Sequence, residues 1–318
     1  MDILKSLCLS FGPSGREGGV ADIIIDDIEG YVDSVKVDNL GNIIAFKKGK
    51  SNKKFMISTN MDQIGVMITH IDEKGFLRFT NVGDFDLGSM LCRKIIFKDG
   101  TEGIIAGSGE NDLYIDIGAS DKNEAEKVLS VGDFGVFKTD MGSVGNLVSG
   151  IPGNRIGCFA LMDAIKKVVS PENDMYYVFT VQKEKYKGGV RTSAYEVGPD
   201  IAIILDTVGT KDSLGFEKNT PEIRKGAVIK IKESDLVYNI DFRNDIVNIA
   251  KENKINMQMG IFEDEKSEAL EVLKSGSGVT IGGIAIPARY INTPCETVSM
   301  DDVDNTINLI VKLIEGIK

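Results

Sequence analysis

The sequence predicts an α/β fold, an α/β/α sandwich into which a small β domain is inserted. Two continuous apolar runs, "MYYVFTV" (175–181) and "IAIIL" (201–205), are typical of strands that helices cover on both faces of a sheet. Between residues 70 and 148 the pattern changes to short strands punctuated by Gly and Asp, which is typical of a small β unit. We therefore expect a discontinuous sandwich domain over 1–69 and 149–318 and an inserted β domain over 70–148.

The amino-terminal region is predicted to contain a helix behind a turn. Ser14 and Glu17 have the spacing of a capping box, in which two side chains satisfy the free N–H groups of a first helical turn. Val20, Ile24 and Ile28 follow at helical spacing. We therefore expect a helix that begins just after Ser14 and buries one apolar face.

A β-hairpin and a buried strand are predicted next. Alternating residues over 32–49 are interrupted by Asn39-Leu40-Gly41-Asn42, which is typical of a hairpin turn. The segment "FMIST" (55–59) then runs into the polar residues Asn60 and Asp62. This pattern predicts a buried strand that presents two polar side chains where it ends.

Three further helices follow from the sequence pattern. A short one over 124–129 begins after Ser120-Asp121 inside the insertion, and a longer amphipathic one covers 155–169. The last begins at Ser299, where a hydroxyl residue precedes two acidic residues and a long apolar stripe. Together with the apolar strands, these helices supply the outer layers of the predicted sandwich.

The composition excludes several classes of partner. With 318 residues the chain can bury the cores of two domains, and its net charge of −11 argues against nucleic acid and anionic membranes as partners. We see no apolar run long enough to span a bilayer and no secretory leader at the start. Four separated cysteines without a C-x-x-C pair are typical of reduced thiols, so we expect a cytoplasmic protein.

Polar residues follow several of the predicted strands, where open α/β sheets form their binding sites. Taken singly, each is typical of a turn at a strand end. Taken together, they predict one crevice, and the loop before the helix at 155 contributes to it. The predicted crevice residues are Asn60, Asp62, Gly153, Asn154, Lys183, Glu184, Asp206 and Asn292.

The chain resembles the tetrahedral and glutamyl aminopeptidases, which are dinuclear metallopeptidases with endoglucanase-like relatives. The resemblance covers nearly the whole chain and rests on segments such as "GPSGREG", "VDNLGNIIAFKKGK", "MDQIGVMITHIDEKGFLRF", "YYVFTVQ" and "IPARYINTP". It implies an α/β/α catalytic domain with an inserted β domain that helps to build dimers and dodecamers. It also implies two zinc or cobalt ions, which polarise a peptide carbonyl and activate water beside a glutamate base.

Most positions that carry this chemistry in the family are replaced here. By the resemblance, Asn60 and Asn292 stand where metal-binding histidines are expected. Gly153 stands in place of the bridging aspartate, with Asn154 beside it, and Lys183 takes the place of the general-base glutamate. We therefore expect no catalytic residue, no metal ligand and no cofactor.

Three acidic residues of the family pattern are kept. Asp62 matches the acid that orients the first histidine, whereas Glu184 and Asp206 match ligands that serve different ions. Two oxygen ligands without a bridge are a poor zinc site. The one histidine of the chain, His70, matches a position that is not a ligand, so a histidine-containing dinuclear site cannot be built from this chain alone.

Lys183 is predicted to replace the metal electrostatically. Without cations, the carboxylates of Asp62, Glu184 and Asp206 would repel one another. An ammonium at Lys183 would supply a fixed positive charge in their midst. The hypothesis is that Lys183 pairs with one or more of these acids; the alternative is that it points to solvent.

Two functional classes remain open from the sequence. In the first, the chain is a non-catalytic homologue that binds a peptide-like ligand, or that assembles with itself or with an active relative through the inserted domain. In the second it is an enzyme, a metal-dependent aminopeptidase with an atypical metal site. A glycosidase that uses Glu184 with Asp206 or Asp62 ranks third, since Lys183 beside Glu184 opposes the raised pKa that such a mechanism needs.

Overall fold

The structure, a computed structural model, describes residues 1–86, 88–107, 112–210, 212–213, 221–265 and 267–317. Two bodies of secondary structure account for it, a large mixed sheet covered by helices and a closed β-barrel. No helix in these ranges is long and apolar enough to cross a membrane.

The large sheet has eleven strands. Its strands are β1 (Ser34–Val37), β2 (Ile43–Lys47), β3 (Lys54–Asn60), β10 (Gly142–Val144), β11 (Leu147–Ser149), β12 (Asp174–Thr180), β13 (Ile201–Gly209), β14 (Ala227–Lys232), β15 (Met257–Ile261), β16 (Thr280–Arg289) and β17 (Thr297–Val298). The spatial order is β1-β2-β12-β3-β13-β16-β17-β11-β10, and β14 pairs with both β16 and β15. The central strands β12, β3, β13 and β16 are parallel, so their carboxyl ends meet at one edge.

Helices cover both faces of this sheet, as the apolar strands require. The α-helices of the described residues are α1 (Asp2–Leu9), α2 (Gly18–Ile28), α3 (Lys122–Glu126), α4 (Arg155–Lys167), α5 (Lys183–Tyr186), α6 (Gly188–Val197), α7 (Ile240–Glu252), α8 (Ala269–Leu273) and α9 (Met300–Gly316). On one face α1, α2, α4, α7 and α9 share a core cluster with the strands. On the other face α6 and α8 pack on the sheet, which confirms the predicted sandwich.

The barrel closes in the order β4-β5-β8-β7-β6-β9. Its strands are β4 (Gly65–Ile71), β5 (Leu77–Val82), β6 (Lys94–Phe97), β7 (Glu102–Ala106), β8 (Tyr114–Asp116) and β9 (Phe134–Phe137). Apolar side chains from alternate positions fill the interior, and the short helix α3 packs against it through Ala125. The chain thus builds a second core that is separate from that of the sandwich.

The barrel strands do not coincide with the predicted insertion of 70–148. Strand β4 already begins at Gly65, because the chain passes from β3 to β4 through a four-residue connection that leaves no gap in the apolar pattern. At the other end, β10 and β11 pair within the large sheet, β11 with β17, so the chain has left the barrel before Gly142. The independence of the two units as domains stays a prediction.

Two local predictions about the first elements have different outcomes. The hairpin of β1 and β2 is present, and the Asp38 carboxylate holds its turn by accepting hydrogen bonds from Leu40, Gly41 and Asn42. The capping box at Ser14 is wrong, because helix α2 begins at Gly18. The reason is that the Ser14 hydroxyl is used elsewhere, as a donor to Asp62.

Candidate functional site

A cleft of about 550 Å³ lies beside the carboxyl ends of β12, β13 and β16. Four of the predicted crevice residues line it: Lys183, Glu184, Asp206 and Asn292. Three more form a buried layer that is hydrogen-bonded to the lining residues: Asn60, Asp62 and Asn154. The eighth, Gly153, approaches the backbone of Asp62. The sheet therefore brings the predicted set together in one place.

The Lys183 ammonium lies on the carboxylate of Asp206. After β12 the chain turns at Gln182, whose φ of 62° is left-handed, and begins the short helix α5. This turn places Lys183 Nζ 2.8 Å from Asp206 Oδ1. The side chain of Lys183 is only 16% exposed, so the ion pair predicted from the sequence is present and largely screened from water.

A second ammonium, not predicted from the sequence, shares the same carboxylate. Lys230, in the middle of β14, is buried and places its Nζ 3.3 Å from Asp206 Oδ2. The same Nζ lies 2.6 Å from Glu233 Oε1, which also accepts from the Tyr238 hydroxyl at 2.9 Å. The signal for this residue was a lysine in the apolar run "AVIKIK", where a strand buried on both faces requires a partner for any charge.

The two ammonium groups fix the charge state of Asp206. Burial alone would raise the pKa of this carboxyl, but the neighbouring Lys183 and Lys230 overcome the effect and hold the pKa well below its ordinary value. For Lys183, the neighbouring carboxylates likewise outweigh the effect of burial on the pKa. Burial lowers its pKa, whereas the carboxylates of Asp206 and Glu184 raise the pKa above the ordinary lysine value. Both groups therefore stay charged at neutral pH.

Two amides form the floor of the cleft. Asn154 Nδ2 lies 3.0 Å from Asn60 Oδ1 and 2.8 Å from Thr59 Oγ1, and it also approaches the carbonyl of Leu205. The Thr207 hydroxyl donates to Asn154 Oδ1 at 2.7 Å. Asn60 and Asn154 are therefore held by hydrogen bonds between strands β3 and β13.

The carboxylate of Asp62 accepts hydrogen bonds from three donors. It is buried and accepts from Asn60 Nδ2 at 3.0 Å, from the backbone N–H of Glu184 at 2.9 Å and from the Ser14 hydroxyl. These donors tie the amino-terminal turn, the end of β3 and helix α5 to one group. Asp62 therefore fixes the relative positions of these three segments beneath the cleft.

Burial raises the pKa of several carboxyl groups in and around the cleft, among them Glu265 in its lining. Burial raises the pKa of Glu184 to about 7 and that of Glu268 to about 8, although Lys183 opposes both shifts. Burial also raises the pKa of Glu296 well above its ordinary value. The Thr180 hydroxyl lies 2.9 Å from both oxygens of Glu268. Glu268 and Glu296 were missed from the sequence, since nothing in their local pattern indicates that they fold inward.

Glu296 connects the remaining two predicted residues. Its Oε1 accepts from the backbone N–H of Asn292 at 3.0 Å, and the N–H of Gly153 also faces this carboxyl. Asn292 itself is exposed at the rim with a left-handed φ of 58°. Gly153 has a φ of 55°, and a Cβ there would lie 3.0 Å from the Asp62 carbonyl oxygen. The left-handed backbone and the close approach of this carbonyl therefore both favour glycine at 153.

These residues do not fit the dinuclear metal centre that the family resemblance implies. Within the described ranges no group of three or more His, Cys, Asp or Glu side chains is placed to hold a metal ion. Both oxygens of Asp206 already face ammonium groups, and those of Asp62 face a hydroxyl, an amide and a backbone N–H. Zinc requires nitrogen or sulfur donors as well, and Asn60 and Asn292 supply neither an imidazole nor a thiolate.

Comparison with known proteins places the chain in a family. The family description "M42 glutamyl aminopeptidase" matches residues 41–309. The chain belongs to the M42 peptidase family. A protein of Acetivibrio thermocellus is 37% identical over 323 residues, 98% of each chain. The structural class and the family resemblance inferred from the sequence are thus confirmed.

Solved structures of M42 and related proteins have the same fold. The aminopeptidase APDkam598 of the archaeon Desulfurococcus kamchatkensis superposes with a TM-score of 0.95 at 31% identity, over 99% of this chain and 94% of that one. The TET1 peptidase of Pyrococcus horikoshii, which can assemble into a tetrahedron or a large octahedral shell, gives 0.89 at 28% identity over 99% of each chain. The relatives with solved structures thus include an aminopeptidase, and one of them can form large assemblies.

Proposed function

We propose that this chain is a non-catalytic member of the M42 family whose cleft binds a peptide-like ligand. The observation that carries the proposal is the Lys183 ammonium 2.8 Å from Asp206 Oδ1, in the place where the family resemblance implies metal chemistry. An ammonium balances the carboxylates but offers no open coordination position to a substrate oxygen. The cleft therefore keeps its charge balance without keeping the means to activate water.

Lys183, at the position where the resemblance implies the general base, cannot act as one. A base must accept a proton near neutral pH, and Lys183 is held protonated by Asp206 and Glu184. Glu184, with a pKa near 7, has the proton affinity of a base, but the cleft lacks the histidine donors that would hold an ion to polarise the water. These properties support loss of peptide hydrolysis rather than a change of substrate.

Retention of the cleft supports ligand binding. Its volume of about 550 Å³ is in the range of small-ligand sites, and its lining presents carboxylates, ammonium groups and a carboxamide. A peptide, which carries both charges and amide groups, matches this lining. The ligand class rests on the family relationship together with this polarity.

Assembly is the second part of the proposal. The TET1 peptidase of Pyrococcus horikoshii builds closed shells from a chain of the same fold. We expect this chain to form a homo-oligomer of two or more subunits, and an active M42 relative is the candidate for a mixed assembly. Light scattering that returns a single monomeric mass would contradict the homo-oligomer.

The competing function is that of an M42 aminopeptidase with an atypical metal site. It is favoured by the family membership and by the survival of Glu184 and Asp206. The two functions differ in one measurable property, which is hydrolysis of short peptides in the presence of added Co²⁺ or Zn²⁺. The archaeal aminopeptidase APDkam598 is the natural positive control.

The test uses three samples assayed side by side. The chain itself is expected to release no amino acid from di- and tripeptides with either metal, and the Lys183→Glu variant tests whether a carboxylate at this position is enough to recover activity. We expect it to remain inactive, since Asn60, Gly153 and Asn292 are unchanged. Turnover by the unmodified chain that a chelator abolishes would overturn the non-catalytic assignment. Calorimetry with trialanine then tests binding, with Asn292→Ala as a variant of the cleft rim.

A further inference from the structure

A second cavity, of about 700 Å³, lies between the barrel and the large sheet, away from the cleft. The barrel contributes Cys92, Arg93, Lys94 and Lys138, and the opposite wall includes Ser149 and Cys295. Two of the four cysteines of the chain therefore line one cavity, although they are far apart in sequence. Nothing in the proposed function of the cleft uses this cavity.

These two cysteines differ from the other pair in accessibility. Cys92 and Cys295 are exposed, whereas Cys8 and Cys158 are buried. Burial raises the pKa of each of the two buried thiols to about 12, which suppresses the thiolate that reacts with disulfides. The chain therefore contains an accessible pair of thiols and, in the same molecule, an inert pair.

The backbone fixes both exposed cysteines on the walls. Cys92 has a left-handed φ of 61°, and its N–H donates to the Ile105 carbonyl at 2.9 Å. On the opposite wall the Ser149 hydroxyl donates to the Cys295 carbonyl at 3.2 Å. A non-glycine residue with such a φ is uncommon, and it is held here by the hydrogen bond to β7. The backbone of each cysteine is thus held by a hydrogen bond to a neighbouring strand.

The walls of the cavity are positively charged. Arg93, Lys94 and Lys138 line it together with a single acid, Asp140. Lys94 and Lys138 share the carboxylate of Glu102, but Arg93 makes no ion pair with any of the described residues. On a chain of net charge −11 this is a local field of opposite sign, which attracts anions.

We propose that this cavity is a thiol-modification site, at which Cys92 and Cys295 form mixed disulfides with an anionic disulfide of about tripeptide size. In each reaction a cysteine thiolate attacks one sulfur of the incoming disulfide. A new sulfur–sulfur bond forms, the old one breaks, and the other half leaves as a thiolate with the electron pair. One disulfide is exchanged for another, so the incoming disulfide is the only oxidant required. The volume matches a ligand of this size, and the cations match its charge.

The first experiment counts and assigns the reactive thiols of the folded full chain. The probe is 5,5′-dithiobis(2-nitrobenzoate), a dianionic disulfide whose released thiolate absorbs visible light. We expect two equivalents from the unmodified chain, one from Cys92→Ser or Cys295→Ser, and none from the double variant. Cys158→Ser, a change to a buried thiol, should leave the count at two. Release of two equivalents by the double variant would overturn the assignment.

The second experiment tests the charge of the site. The rate with the dianionic probe is compared with that of the neutral 4,4′-dithiodipyridine, so that a general change in thiol exposure cancels in the ratio. Arg93→Gln should lower the ratio about fivefold at low salt, because one unit of charge is removed close to the thiols. Lys98→Gln, which changes a lysine of the barrel that does not line this cavity, is the matched control. An unchanged ratio in Arg93→Gln would overturn the anionic specificity, and thermal unfolding curves verify that each variant is folded.

Discussion

At the scale of single residues, one ammonium group accounts for most of the character of the cleft. Lys183 pairs with one oxygen of Asp206 and lies near Glu184, and Lys230 pairs with the other oxygen of Asp206. The charge on Asp206 is tolerable in this buried place only because two cations face it. Removing one of these cations should therefore lower the free energy of unfolding by more than the loss of an ion pair at the surface would.

Lys183→Met should destabilise the protein at neutral pH. Asp206 would keep Lys230, while Glu184 would lose its nearest cation, so we expect a loss of about 2 kcal/mol in the free energy of unfolding. Urea unfolding at pH 7 measures this quantity. Lys185→Met changes an exposed lysine of the same helix and serves as the control. Equal stabilities of the two variants would show that Lys183 does not stabilise the cleft.

The raised carboxyl pKa values predict a stability that falls as the pH rises. A carboxyl whose folded pKa is raised binds a proton more tightly in the folded state, so its contribution is lost between the unfolded pKa and the folded one. For Glu268, with a folded pKa near 8, this window extends from about pH 4 to pH 8. Glu268→Gln should flatten the decline by up to roughly 1 kcal/mol per pH unit.

The measurement is urea unfolding between pH 5 and pH 8. Glu271→Gln, on the same helix α8, is the control and should keep the slope of the unmodified chain. A steeper decline in Glu268→Gln than in the unmodified chain would contradict the inferred protonation of Glu268.

At the scale of elements, the connections that meet beneath the cleft set its shape. Gly153 lies in the loop before α4, and its left-handed backbone brings this loop against the Asp62 carbonyl. Gln182 and Asn292 also have left-handed backbones where their strands end. Three turns of unusual conformation thus converge on one site, which is where such conformations tend to be retained.

Gly153→Ala should lower the free energy of unfolding by more than the strain of an alanine in a left-handed conformation alone. The conformation contributes about 1 kcal/mol, and the contact of a new Cβ with the Asp62 carbonyl adds to it. Gly198→Ala is a matched comparison, since Gly198 has a φ of 56° with nothing within 4 Å of an added Cβ. Chemical denaturation of both variants gives the difference, and equal losses would mean that the loop moves away from Asp62 without cost.

Elements with a strong local pattern could be predicted from the sequence. The apolar runs became the central strands β12 and β13, and the turn at Asn39 to Asn42 joins β1 to β2. The start of helix α2 could not be predicted, because the Ser14 hydroxyl bonds to Asp62, a residue distant in sequence. Patterns report the immediate neighbours of a residue, whereas this hydrogen bond depends on the packed sheet.

The difference between local patterns and long-range contacts also explains which residues of the cleft could be predicted from the sequence and which could not. Asn60, Lys183 and Asp206 were predictable because each follows an apolar run of the sequence closely, although β13 continues past Asp206 to Gly209. Glu233, Glu268 and Glu296 lie in segments without a helical or strand pattern of their own, and their burial depends on partners such as Lys230 and Thr180. The partner of Glu268, Thr180 at the end of β12, is distant in sequence, so the residues that flank Glu268 do not indicate that it is buried.

At the scale of the whole molecule, the barrel and the sandwich are each closed around their own core, and the cleft lies on the sandwich. Stability of the sandwich is provided by apolar packing on both faces of the sheet together with the buried ion pairs. Under the function proposed above, no divalent ion takes part in this arrangement. The thermal behaviour should therefore distinguish this chain from relatives that depend on metal.

Chelator treatment should leave the melting temperature unchanged, and added Zn²⁺ or Co²⁺ should not raise it. A ligand that binds only the folded state raises the melting temperature with its concentration, so a preserved metal site would be visible directly. Differential scanning calorimetry on chelated and metal-supplemented samples, with the archaeal aminopeptidase APDkam598 as the comparison, makes the measurement. A concentration-dependent rise for this chain at micromolar metal would restore the atypical-site aminopeptidase to first place.

The ion pair between Lys183 and Asp206 has a consequence for the source of the positive charge in the cleft, which is the polypeptide itself. A bound metal ion is exchanged with the cell, so its occupancy follows supply, competition and dilution. A lysine side chain is inherited with the polypeptide and is present in every copy at the moment of synthesis. Under the proposed function, the electrostatic balance of this cleft is therefore encoded in the amino-acid sequence, and every newly folded molecule starts with the same charges at any supply of metal.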